Sequence, residues 1–115
     1  MVSINIYRDK YDDIVRYSVE GHANYGPYGE DIVCAAISIL SHTTLLSLIK
    51  LGKINEGSLD YVSDEEKGYF DIKLPKKLDE ENYKRVQIIL RTFEIGVKSL
   101  LEAYPNHITL KYREV

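Results

Sequence analysis

Cys34 and His22 are the residues of this chain whose types and spacing suit nucleophilic chemistry. A thiol attacks as the thiolate, so it needs a lowered pKa and a base or cation beside it. Imidazole takes up and returns a proton near neutral pH. His22 stands at the start of Gly21 to Glu30, and Cys34 follows its end; the stretch has three Gly and one Pro in ten residues and reads as a loop. Folded back, such a loop carries the imidazole to the thiol. Asp31 suits a helix N-cap, and a helix opening there puts Cys34 in its first turn. Unpaired N–H groups and the helix dipole favour a thiolate at that place. The plain alternative is that a lone Cys in an apolar helix is a small buried hydrophobe.

Neighbouring residues carry two readings each. As a cap, Asp31 accepts the N–H of Val33 or Cys34; as a third catalytic member it would put a negative charge near the thiol, which opposes thiolate formation. Ser38, four residues after Cys34 on the same helical face, either serves the site or bonds back to the preceding turn. Gly21, Ala23, Gly26 and Gly29, with Tyr25 and Tyr28, suit either a flap that closes over an apolar substrate side chain or a passive connection. His42 lies eight residues past Cys34, about 12 Å along a helix, too far to serve the thiol, and reads as structural. His107 is expected at the surface. The three His and Cys34 lack a zinc-type local spacing, so neither a metal nor a cofactor is expected.

The elements that position these residues follow from periodicity. Val2, Ile4 and Ile6 alternate with polar neighbours, as do Val15, Tyr17 and Val19 beyond the polar turn at residues 8–13, and predict a hairpin. Ile32 to Ile49 carries no charge. Its many hydroxyls and His42 make it too polar for a membrane span and point to a core helix, apolar nearly all round and packed on more than one side. Lys50-Leu51-Gly52-Lys53 closes it. Ser58–Ser63 and Tyr69–Leu74 predict a second hairpin, and Pro75 ends it. Asp79-Glu80-Glu81 opens a second helix. Tyr83, Val86, Leu90, Phe93, Val97, Leu100 and Tyr104 recur at spacings of three and four, and Ile108, Leu110 and Tyr112 give a last strand.

The order β-β-α-β-β-α-β predicts an α+β fold in one domain, residues 1–115, with two helices on one face of a mostly antiparallel sheet. Strand order is not legible. A chain of 115 residues is long enough for one core without metals or disulfides. Fifteen Lys+Arg against 18 Asp+Glu give a net charge of −3, which argues weakly against direct nucleic-acid binding. The single cysteine forms no intrachain disulfide, and the alternating N-terminus is unlike a signal peptide, so a cytoplasmic protein is expected. Ten Tyr stand against two Phe and suit half-buried sheet faces or an interface.

Gly21-His22-Ala23, Gly29, Asp31-Ile32-Val33-Cys34-Ala35-Ala36 and Ser38 together resemble the signature of the bacterial ribosomal-processing cysteine proteases, the Prp family. The order of elements is similar over the whole chain. The resemblance implies a catalytic dyad of His22 and Cys34 in a cysteine endopeptidase. That enzyme removes the N-terminal extension of the twenty-seventh protein of the large ribosomal subunit, in support of ribosome assembly. It also implies a small α+β homodimer. Asn24 stands where family members often carry Gly, and Asn tolerates left-handed φ. The alternative function is a non-enzymatic ribosome-associated or peptide-binding module, which would use the same groove and need neither thiolate nor imidazole.

Overall fold

In the computed structural model residues 1–21, 28–64 and 66–115 are described, with 28–31 as backbone. The two alternating N-terminal runs form β1 (Val2–Arg8) and β2 (Ile14–Glu20), antiparallel, with Ile4 opposite Val19 and Ile6 opposite Tyr17. The turn between them is held by Asp9, whose Oδ1 accepts the N–H groups of Tyr11 and Asp13. Helix α1 (Tyr28–Lys50) follows, then a 3₁₀ turn at Glu56–Ser58, β3 (Asp60–Asp64), β4 (Tyr69–Lys73), α2 (Glu80–Ala103) and β5 (Ile108–Glu114). The sheet order is β3-β4-β2-β1-β5, with β1 and β5 parallel and the other pairs antiparallel. The expected α+β architecture is present as a mixed sheet. Each helix returns the chain along the sheet, so β3 runs in the direction of β2, and β5 in the direction of β4.

The inner sheet face (Val2, Ile4, Ile6, Tyr17, Val19, Phe70, Ile72) packs on Val33, Ile37 and Leu48 of α1 and on Val86, Leu90, Phe93 and Val97 of α2. Tyr17 is fully buried at the centre, 4.3 Å from Phe93 and 6.2 Å from Phe70 between ring centroids. A buried aromatic of this kind contributes about 3–5 kcal/mol, judged from truncation to Ala. Its hydroxyl donates to the carbonyl of Ser41 at 3.0 Å.

Helix α2 matches its periodicity. Asp79 caps it, accepting the N–H of Asn82 at 2.7 Å. Its Gln87 amide exchanges two hydrogen bonds with the backbone of Ile14, at 2.9 and 2.7 Å, and so ties the helix to β2. Glu94, which periodicity did not single out, is buried among Arg8, Arg91, Lys98 and the Tyr112 hydroxyl. On the outer face Arg16 grips Asp71 with two hydrogen bonds, 2.8 and 2.6 Å, and lies over the Tyr7 ring.

Several expectations are corrected. Helix α1 begins at Tyr28, so residues 28–30 are helical, not loop. Asp31 is therefore the fourth helical residue, not the N-cap, and Cys34 is the seventh, in the second turn. A proline just before a helix is favourable because it lacks an N–H that the first turn leaves unpaired, and Pro27 holds that place in the sequence. The expectation that α1 packs on more than one side holds, since the sheet and α2 both cover it, while Ile32, Ile39 and Leu46 are exposed among the described residues. Ile32–Lys50 is long and apolar enough to cross a membrane by composition alone, yet one side of it is built into this core. At its end Lys53, not Gly52, takes the left-handed conformation, and a Cβ on Gly52 would meet the Leu48 carbonyl. The second hairpin starts two residues later than expected, after the 3₁₀ turn. His107 is half-buried in the turn before β5.

Two variants test this framework. Gly21 follows β2 directly at φ 128°, and a Cβ there would sit 2.4 Å from the Met1 carbonyl oxygen. Gly21→Ala should cost about 1–3 kcal/mol or more, read as a lower urea midpoint. Burial raises the Glu94 carboxyl, but hydrogen bonds from Tyr112 and Arg8 outweigh it and hold the group below its ordinary value. A lowered folded pKa gives stability that is present above the unfolded value, about 4.3, and lost as pH falls through the folded one. Glu94→Gln should be less stable at pH 7 and should lose less on acidification. An unchanged acid dependence would contradict this account.

Candidate active site

One cavity of about 310 Å³ opens where α1 crosses the end of the sheet. The start of β1 supplies Val2, the end of β2 Val19 and Gly21, the β3–β4 hairpin Ser63, Asp64, Tyr69 and Phe70. Helix α1 contributes Cys34, Ser38 and His42, which follow one another at i, i+4 and i+8 on one face. Cys34 is half-buried and packs against the core. Its second-turn position weakens the help expected from the helix dipole, which falls off within the first turn. Activation of this thiol therefore needs a base.

Gly21 is tied to the hairpin by its N–H, which donates to the Gly68 carbonyl at 2.9 Å. The strand end is thus fixed on the same cavity as Cys34, one residue before His22. His22, Ala23 and Gly26 lie outside the described residues, as do Asn24 and Tyr25. Gly29 and Asp31 stand in the first turn of α1. Ser38 meets the expectation that it shares the face of Cys34: it lines the cavity, and its carbonyl accepts the Nδ1–H of His42 at 2.9 Å. His42 is more than a core residue. It forms part of the cavity wall with its ring 4.7 Å from that of Phe70. Spacing from Cys34 could have flagged it. Ser63, Tyr69 and Phe70 carry no local signal, because they reach the site through strand pairing. Among the described residues no group of three His, Cys, Asp or Glu is placed to hold a metal ion.

A half-buried thiol on an apolar cavity beside a fixed strand end can attack a carbonyl of a peptide laid into that cavity. Comparison with known proteins agrees. The family model described as "Cysteine protease Prp" matches residues 1–109. The ribosomal processing cysteine protease Prp of Bacillus subtilis is 26% identical over 108 residues, covering 94% of each chain. The crystal structure of the ribosomal processing protease Prp from S. aureus in complex with a substrate peptide superposes with a TM-score of 0.84 at 26% identity, covering 98% of this chain and 100% of that one. The same protease with a covalently linked product peptide gives 0.77 at 26% identity, with the same coverage. Membership of a protease family sets aside the non-enzymatic alternative: the chain belongs to the Prp family of cysteine proteases.

Proposed function

We propose that this enzyme removes the N-terminal extension of a large-subunit ribosomal protein, the twenty-seventh, in the cytoplasm, with Cys34 as nucleophile and His22 as its base. The observation that carries the reading is the cavity shared by Cys34 and Gly21, the residue before His22. His22 takes the thiol proton as Sγ adds to the scissile carbonyl carbon. Side chains on a helix lean toward its N-terminus, so Sγ leans toward the first turn of α1, whose N–H groups lack partners within the helix and suit the oxyanion. The tetrahedral adduct collapses to a thioester as His22 gives its proton to the leaving amine. Water, deprotonated by His22, then attacks the thioester carbonyl and releases the peptide acid and the thiol. The S. aureus relative with a covalently linked product peptide supports a covalent route. The substrate adds as a strand along β3, a short exposed sheet edge whose Ser63 and Asp64 line the cavity.

The active form is a homodimer. Ile32, Ile39 and Leu46 recur every seven residues along the exposed side of α1, and Ile88 and Ile95 do so on α2. Isolated exposed apolar residues are ordinary, but a stripe at helical period is a surface for a partner.

Cys34→Ala should keep the fold, since Ala is the best helix former, and abolish processing of the extended ribosomal protein on a gel. Processing at the normal rate would end the protease assignment of Cys34. His22→Ala should slow turnover about 10²–10⁴-fold and slow alkylation of Cys34 by iodoacetamide at pH 7. Unchanged alkylation would remove His22 as the partner. Ile39→Asp should convert a dimer to a monomer in sedimentation velocity, with α-helical content retained. A monomeric parent protein would refute the dimer.

A further inference from the structure

The floor of the cavity holds a polar group that the cleavage chemistry does not use. Ser41 lines the cavity, is 1% exposed, and its Oγ has no hydrogen-bond partner among the described residues. Its carbonyl is engaged by the Tyr17 hydroxyl, but its own hydroxyl is not. Thr44 and Thr92, also inside helices, each donate to the carbonyl four residues back at 2.7 Å. Ser41 makes no such bond. An unpaired buried hydroxyl bears its full desolvation penalty, and such groups in native proteins call for an explanation.

The surroundings say what could relieve it. Val2, Val19, Ile37 and Phe70 give the cavity apolar walls. His42 stands beside Ser41 in sequence and is held by its Nδ1–H to Ser38, which leaves Nε2 of the neutral ring as an acceptor. The charged group among the described lining residues, Asp64, is committed to the β3–β4 turn, where Oδ1 accepts the Lys67 N–H at 3.1 Å. Nothing among these residues neutralises a buried charge at the floor. Ser41 lies about 10 Å along α1 from Cys34, the reach of a side chain borne one or two residues from the scissile bond.

We propose that this cavity is a subsite for a substrate side chain with an apolar stem and a neutral hydrogen-bonding end, an amide or a phenol, and that Ser41 Oγ sets specificity by pairing that end. A charged end is rejected by burial without a counter-charge. An aliphatic end fills the walls and leaves Ser41 unpaired, and a site built to hydrogen-bond rejects analogues that lack the group. The proposal rests on the protease reading for its catalytic readout, and binding supplies a second one.

The test uses peptides spanning the cleaved region of the ribosomal extension, with the residues flanking the cut replaced one at a time by Gln, Tyr, Leu, Phe or Glu. At one position Gln or Tyr should exceed Leu, Phe and Glu by at least about tenfold in kcat/KM, and likewise in affinity for the Cys34→Ala protein. Ser41→Ala should level this preference by bringing the Gln and Tyr peptides down toward the Leu peptide, and should not lower Tm. A merely structural serine would lower all peptides together. No preference at any position, or a preference that survives Ser41→Ala, overturns the proposal. If no peptide is cleaved but the Ser41-dependent binding preference stands, the subsite stands and the protease reading fails.

Discussion

The buried hydroxyl of Tyr17 on the carbonyl of Ser41 sets the height and register of α1 over the sheet. A phenol taken fully out of water needs a partner, and burial raises its pKa well above the ordinary tyrosine range, so it stays a donor. Both chains then run from that bond toward the same end of the molecule. Gly21 is four residues along β2, roughly 13 Å away. Cys34 is seven residues back along α1, roughly 10 Å away. The two distances nearly match, which is why the strand end and the thiol line one cavity.

Among the described residues lining that cavity, Asp64 at the β3–β4 turn is the one carboxylate, and the charged clusters lie elsewhere. The Arg8–Glu94–Tyr112 cluster docks α2 against β1 and β5, and Arg16–Asp71 with Tyr69 staples β2 to β4 on the outer face. Breaking one partner of such a pair leaves a buried charge, so these clusters fix which strand lies where more than they add net stability. The cavity is instead walled by apolar groups and hydroxyls, where a thiolate and an imidazolium formed in the reaction would feel each other strongly.

Much of this was legible because it is local. The α2 stripe from Tyr83 to Tyr104, its acidic opening at Asp79-Glu80-Glu81 and the two hairpins follow from patterns within a few turns or a few strand residues. So does the face shared by Cys34 and Ser38. Strand order and the parallel seat of β5 were not legible, because α2 returns the chain across two strands and nothing in residues 108–114 encodes the neighbour. The start of α1 was misplaced because Asp31 is a good cap residue and the Gly- and Pro-rich residues before it carry the composition of a loop. Glu94 looked like an ordinary helical acid, and its partners come from β1 and β5. Ser41 looked like one hydroxyl among many until its burial and missing partner set it apart.

The nucleophile and the exposed stripe share one helix. Ile39 lies five residues from Cys34, roughly 140° around the helix axis, and Ile32 and Leu46 fall near the same azimuth. A second protomer seated on that stripe would press on the back of the catalytic helix without covering the cavity. The sheet holds α1 from one side through Tyr17, and α2 holds it from another where Gly96 lets Leu40 approach: a Cβ there would lie 2.9 Å from a Leu40 methyl. Among the described residues, nothing inside the protomer covers the side that carries Ile32, Ile39 and Leu46. Closing it by dimerisation would restrain the helix that carries Cys34 from every side.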